Sequence, residues 1–79
     1  MENNLAVFSL VRVVKLLQPI EDYNGWGINQ RPPQLDDIGT ILDILTVPDL
    51  PDRYIVESSS DDGKTIWLCE FEADELESM

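Results

Sequence analysis

Short apolar runs of strand length alternate with glycine, proline and aspartate breakers along the whole chain. One run, residues 37–45 (Asp-Ile-Gly-Thr-Ile-Leu-Asp-Ile-Leu), is the stretch the others are arranged around. It opens on a glycine after two acids, closes before Pro48, and reads as the central strand of a small, strongly bent β-sheet. Asp43 is expected to face solvent, sharing its side with Ile41 and Leu45, while Thr40, Leu42 and Ile44 take the opposite face. Gly39 suits a tight bend or a close approach of backbone. Residues 53–58 alternate with Tyr54 and Val56 inward and Glu57 outward. Residues 64–71 return with Trp67, Cys69 and Phe71 inward and Glu70 outward, which leaves Ile66 and Leu68 on a face needing cover from the N-terminal strand or a loop. Between these two runs, residues 59–63 end in Asp62-Gly63, a hairpin signal.

The first apolar run, residues 5–17, carries two patterns. Ser9, Arg12 and Lys15 lie three apart, as along one face of a helix. Val11, Val13 and Val14 are β-branched and favour a strand, with Val11 and Val13 on one face and Arg12 on the other. The strand is the better reading, and the slip in alternation before Lys15 predicts a β-bulge near Val13–Val14. Residues 18–36 form a long connection punctuated by Asn24-Gly25, Trp26-Gly27 and Pro32-Pro33. Tyr23, Trp26 and Ile28 make it apolar for a loop. Either they fold back to cap one end of the sheet, or Tyr23, Trp26 and Arg31 form a recognition surface, since aromatics and arginine are the usual anchors of interfaces. Residues 47–52 are a loop, because Pro48 and Pro51 cannot sit inside a paired strand. Their Pro-x-x-Pro spacing reads as strand punctuation. The tail, residues 72–79, reads as one helical or 3-10 turn holding Leu76 against the core.

Charge narrows the classes of partner. The chain has 79 residues, 43% of them apolar, enough for one domain with a small core. Five basic residues against 16 acidic ones leave a net charge of −11. That field repels phosphate backbones and anionic lipid, and it permits a basic protein or a cation. The apolar runs are far shorter than the ~20 residues of a membrane span. The N-terminus, Met1-Glu2-Asn3-Asn4, has no basic leader region, so the expected location is the cytoplasm. Short strands, exposed sheet edges and a small core leave a homodimer open.

The chemistry that the residue types permit is sparse. With no histidine, the hydroxyls of Ser58, Ser59 and Ser60 lack the usual neighbouring base. Lys15 and Lys64 occupy positions that suit solvent exposure. Asp36-Asp37 and Asp61-Asp62 lie at turns, where aspartate caps backbone amides, and neither pair has the spaced acids and glycine of a calcium loop. Cys69 is the one cysteine, which excludes an internal disulfide, and it alternates with core positions as a small hydrophobe. No catalytic residue, cofactor motif or metal motif is expected. From Asp61 onward the chain carries seven carboxylates and one lysine. If the last turn is helical, Glu72, Asp74 and Glu75 line an exposed face, either simply solvated or a docking patch for a basic protein such as a nuclease.

Four blocks in order (residues 37–42, 54–57, 62–66 and 71–76), with residues 11–17 ahead of them, resemble a small bacterial family catalogued as domain of unknown function four-nine-two-six. The resemblance implies an SH3-like barrel of about five short strands and brings no established activity, cofactor or site residue. The long aromatic loop departs from the short turn such proteins have there. The resemblance also hints at an immunity or antitoxin-like role.

The sequence thus reads as a single-domain, mostly β, SH3-like antiparallel barrel. Its expected function is that of a small acidic, non-enzymatic protein-binding module. It would present Tyr23, Trp26, Arg31, Glu72, Asp74 and Glu75 to a basic protein and occlude it. The alternative is an RNA- or ribosome-associated SH3-like barrel, which the net charge opposes.

Overall fold

The structure, a computed structural model, describes residues 5–79. Residues 1–4, on which the reading of the N-terminus rests, lie outside the described residues. The element order is β1 (Leu10–Val13), a 3-10 turn (Ile20–Asn24), β2 (Ile38–Leu45), β3 (Arg53–Ser59), β4 (Thr65–Glu72), a second 3-10 turn (Ala73–Glu75) and β5 (Leu76–Ser78). The strands form one sheet in the order β4-β3-β2-β1-β5, every pair antiparallel, with the run around Gly39 at its centre. The sheet is not closed by pairing of its two edges. Side chains from all five strands nevertheless meet in one core: Val11, Val13, Ile41, Tyr54, Val56, Trp67, Cys69, Phe71 and Leu76. Strands at opposite edges can share a core only if the sheet curls over one face. This mostly β, bent arrangement is compatible with an SH3-like barrel.

β3 and β4 follow their alternation. Val56, Trp67, Cys69 and Phe71 are wholly buried, and Trp67 packs edge-on to Phe71 with centroids 5.6 Å apart. Five residues, Ser60-Asp61-Asp62-Gly63-Lys64, join these strands. Gly63 takes a left-handed φ of 83°, and its amide donates to the Ser60 carbonyl at 2.9 Å. Gly39 serves close approach. A Cβ there would lie 2.7 Å from Val56 Cγ1, 2.8 Å from the Glu57 carbonyl oxygen and 3.2 Å from Trp67 Cη2.

β2 differs from expectation. Gly39 and Ile41 point into the core, whereas Leu42 is exposed and Thr40, opposite Glu57, is half-buried. The register shifts between Ile41 and Asp43, so Leu42 is an extra residue opposite β3, and beyond it the half-buried Ile44 packs against the core. A bulge of this kind reverses the face of every later residue, which strict alternation cannot anticipate.

β1 is shorter than the apolar run that contains it, and Val11 and Val13 are its inward residues, as read. Ahead of it, Ser9 N–H donates to the Ala6 carbonyl at 3.0 Å and closes a turn with Phe8 at a left-handed φ of 70°. Behind it, the successive amides of Val14 and Lys15 converge on the Glu75 carbonyl at 2.8 and 3.3 Å. Two neighbouring donors on one acceptor is the bonding of a bulge, and it falls where the alternation slips. The fifth strand comes from the tail: after the second 3-10 turn, Leu76, Glu77 and Ser78 pair with Val13, Arg12 and Val11.

Candidate functional site

The long connection is a built part of the fold. It holds a 3-10 turn, and its far side runs along the free edge of β4. Gln30 N–H donates to the Ile66 carbonyl at 2.8 Å, Leu68 N–H to Asn29 Oδ1 at 2.8 Å, and Gln30 Nε2 to the Thr65 carbonyl at 2.9 Å. An edge strand that would otherwise offer open donors and acceptors is thereby covered. Ile66 and Leu68 end up half-buried.

Two carboxylates anchor the ends of this connection. At its start stands Glu75, wholly buried. One oxygen, Oε2, accepts from Leu17 N–H at 3.2 Å and from the Tyr23 hydroxyl. The other, Oε1, accepts from Gln18 Nε2 at 2.7 Å and from Glu72 N–H at 3.0 Å. Two main-chain amides, a carboxamide and a phenol thus hold the carboxylate, none of them charged. The nearest link to a cation passes through Gln18, whose Oε1 accepts from Arg53 Nη2 at 2.8 Å while Arg53 Nε lies 3.2 Å from Glu70. A buried charge persists only when its hydrogen-bonding capacity is met in this way. Burial, followed by the hydrogen bond to Glu75, pushes the Tyr23 phenol up to about 12. Burial above all pushes the Cys69 thiol up to about 12, against the hydrogen bond from Asn29.

At the far end stands Asp37. It accepts from Arg31 Nη1 at 2.7 Å and Nη2 at 3.2 Å, from Gln34 N–H at 2.9 Å and from the Trp67 indole Nε1–H at 2.9 Å. Burial raises its pKa, but the Arg31 hydrogen bond, the Gln34 amide, the Trp67 indole and the Arg31 charge together hold it below the usual value. The forked Arg31 contact is the geometry in which guanidinium and carboxylate bind most strongly.

These anchors separate the expected site residues. Tyr23 is 2% exposed, so it is corrected from a recognition residue to a core residue that caps one end of the sheet. Its ring packs against Phe71 at 5.4 Å, and its hydroxyl reaches Glu75. Glu75 is likewise corrected: it is buried and belongs to no exposed acidic face. Arg31 is half-buried and committed to Asp37 and the Pro32 carbonyl, so it positions the loop. Trp26 is 46% exposed and lines a shallow concavity of about 170 Å³ with Asp22, Gly25 and Glu70. Glu72 is half-buried and lines a second cavity of about 240 Å³ with Leu45, Val47, Leu50, Pro51, Arg53 and Glu70. Asp74 is exposed. Trp26 and Glu72 therefore flank one surface through Glu70, which lines both cavities, while Tyr23 and Glu75 lie beneath it. Asp37 caps a backbone amide at a turn as read, through Gln34 N–H, but its hold on Arg31 and Trp67, the part of Gln18 and the burial of Glu75 were not legible. For Glu75 the one available signal was the Glu72-x-x-Glu75 spacing of a capping box at a helical turn, which the second 3-10 turn forms.

A third cavity, of about 350 Å³, lies inside the connection between Ile20, Tyr23, Asn29 and Arg31. The amides of Asn29 and Gln30 on its wall already bond to the main chain. Among the described residues no group of three or more histidine, cysteine, aspartate or glutamate side chains is placed to hold a metal ion. No helix among them is long and apolar enough to cross a membrane.

Four of the five basic side chains sit against a carboxylate: Arg12 with Glu77, Arg31 with Asp37, Arg53 with Glu70 and Lys64 with Asp62. The positive charge is thus largely spent within the fold, and the acidic excess faces outward. Comparison with known protein families, with curated proteins and with solved structures gives no match.

Proposed function

We propose that this chain is a small acidic, non-enzymatic module that binds a basic protein partner and occludes its working surface, in the manner of an immunity or antitoxin protein. The observation that carries this reading is the state of the 18–36 connection. It is pinned at both ends and along β4, yet it leaves the indole of Trp26 half-exposed beside Asp22 and Glu70. A large apolar side chain kept at the surface of a rigid loop suits a contact with another molecule. Pinning the loop beforehand lowers the ordering cost of that contact. The net charge of −11 selects the sign of the partner and speeds its encounter.

The work assigned to the surface is steric and electrostatic. Phosphate-rich ligands are repelled by the same field, so RNA is the weaker reading. A pull-down from the native cell in low salt, repeated in high salt, tests the proposal. A basic protein retained in low salt and released in high salt supports it. No partner, or one indifferent to salt, counts against it.

A further inference from the structure

A basic partner needs a particular place on this surface to set its charge. Trp26 and Gly25 come from the loop, Asp22 from the 3-10 turn before them, and Glu70 from the outward face of β4, and these four line one concavity of about 170 Å³. An indole with carboxylates beside it brings aromatic surface and negative charge to the same small volume. A cation gains from both through its charge, whereas a neutral group lacks that gain and an anion is repelled. The space is of the size of one side-chain head group, and the glycine leaves its wall open. Glu70 is half-exposed, and Arg53 reaches it through Nε at 3.2 Å while the Arg53 Nη2 donates to Gln18. Arg53 is therefore held toward the body of the protein, on the side of the second cavity that Glu70 also lines. That second cavity has an apolar wall of Leu45, Val47, Leu50 and Pro51, with Arg53, Glu70 and Glu72 along its other side.

We propose that the Trp26–Asp22–Glu70 concavity is the subsite for one arginine or lysine head group of the partner. The apolar cavity across Glu70 takes an adjacent aliphatic side chain. The ligand class is a short basic-apolar segment of a protein, read by charge at one position and by burial at the next. Arginine is the better fit of the two cations, because a planar guanidinium stacks on an indole and hydrogen-bonds to a carboxylate at the same time. This inference rests on the protein-binding reading and narrows it to particular residues.

The probe is the blocked dipeptide acetyl-Arg-Leu-amide, titrated into the full chain and followed by the two indole N–H signals in NMR. Its neutral isostere, acetyl-citrulline-Leu-amide, is the control. The expected result is a saturable shift of the Trp26 indole with the arginine peptide, little change at the buried Trp67, and loss of binding with citrulline. Asp22→Asn should weaken the arginine peptide roughly two- to fivefold, and so should Trp26→Ala, which is followed by the backbone amide signals of Gly25 and Gly27 in place of the lost indole. Asp22 is exposed, so its variant tests the site without threatening the fold. Equal binding of arginine and citrulline peptides, or no effect of Asp22→Asn, overturns the subsite. The pull-down separates the two levels. A salt-sensitive partner held as well by Trp26→Ala as by the parent chain overturns this subsite and leaves the proposed function standing. Specific arginine-peptide binding with no protein partner recovered overturns the proposed function and leaves the subsite.

Discussion

Replacing Glu75 by alanine removes the acceptor that ties the start of the long connection to the end of β4. Four donors then face the gap: the amides of Leu17 and Glu72, the Gln18 carboxamide and the Tyr23 hydroxyl. A buried donor left without a partner costs about 1–3 kcal/mol, and a hydrogen bond to a charged group is worth about 1.5–3 kcal/mol. Water admitted to the gap recovers part of this, and removing the carboxylate also removes its desolvation cost. A net loss of about 3–5 kcal/mol follows, as for breaking other buried charge networks. Domains are stable by only about 5–15 kcal/mol in total. For a chain of this size the loss lowers Tm by roughly 12–40 °C. Glu75→Gln keeps the shape and at least one acceptor, and should lose only about 1–2 kcal/mol. Thermal and urea unfolding, followed together by circular dichroism and tryptophan fluorescence, measures all three proteins. Asp74→Ala, one residue away and exposed, is the control and should stay within about 0.5 kcal/mol of the parent. If Glu75→Ala proves as stable as Asp74→Ala, the anchoring network has no energetic standing and the argument for a pinned loop fails.

Further perturbations test other parts of the account. Gly39→Ala drives a methyl group into Val56 Cγ1 and the Glu57 carbonyl at 2.7 and 2.8 Å, and should lower stability by about 1–3 kcal/mol in a urea titration. The native pKa of Asp37 lies below its unfolded value, so its contribution is present above the ordinary aspartate range near ~3.9 and is lost as pH falls through the depressed native value. Asp37→Asn should therefore flatten the acid limb of a stability-against-pH curve. Tyr23 is shifted the other way, to about 12, so its contribution is complete below its unfolded pKa of 10.0 and is lost as pH rises from there toward about 12. In the native protein tyrosinate absorbance should lag that of the urea-unfolded chain, and Tyr23→Phe should shrink the lag.

Much of the sheet is legible in the pattern of residues because β3 and β4 alternate without interruption over the core. Tyr54, Val56, Trp67, Cys69 and Phe71 are read inward and found inward, since each buries a large apolar surface that no competing contact could outweigh. The face of β2 is not legible. Its bulge at Leu42 is set by pairing with β3, a long-range property that no local window contains. The candidate surface splits the same way. Trp26 stands out as an aromatic between glycines, and it is half-exposed. Glu75 sits in a run of acids that any charge count assigns to solvent. Its burial depends on donors from Leu17, Gln18 and Tyr23, more than fifty positions earlier in the chain. The same blindness hides the role of Arg31, whose partner Asp37 is close in sequence but whose purpose, steadying the Trp67 contact, is not.

Only if residues 18–36 are held as firmly as the strands is the acidic surface around Trp26 formed before any partner arrives. Amide hydrogen exchange, resolved by residue, measures this directly. The Leu17, Gln18, Gln30, Gln34 and Leu68 amides and the Trp67 indole N–H should exchange slowly, on the scale of β2 and β3, with the Trp26 indole fast. Rapid exchange at those amides over a protected sheet would contradict it.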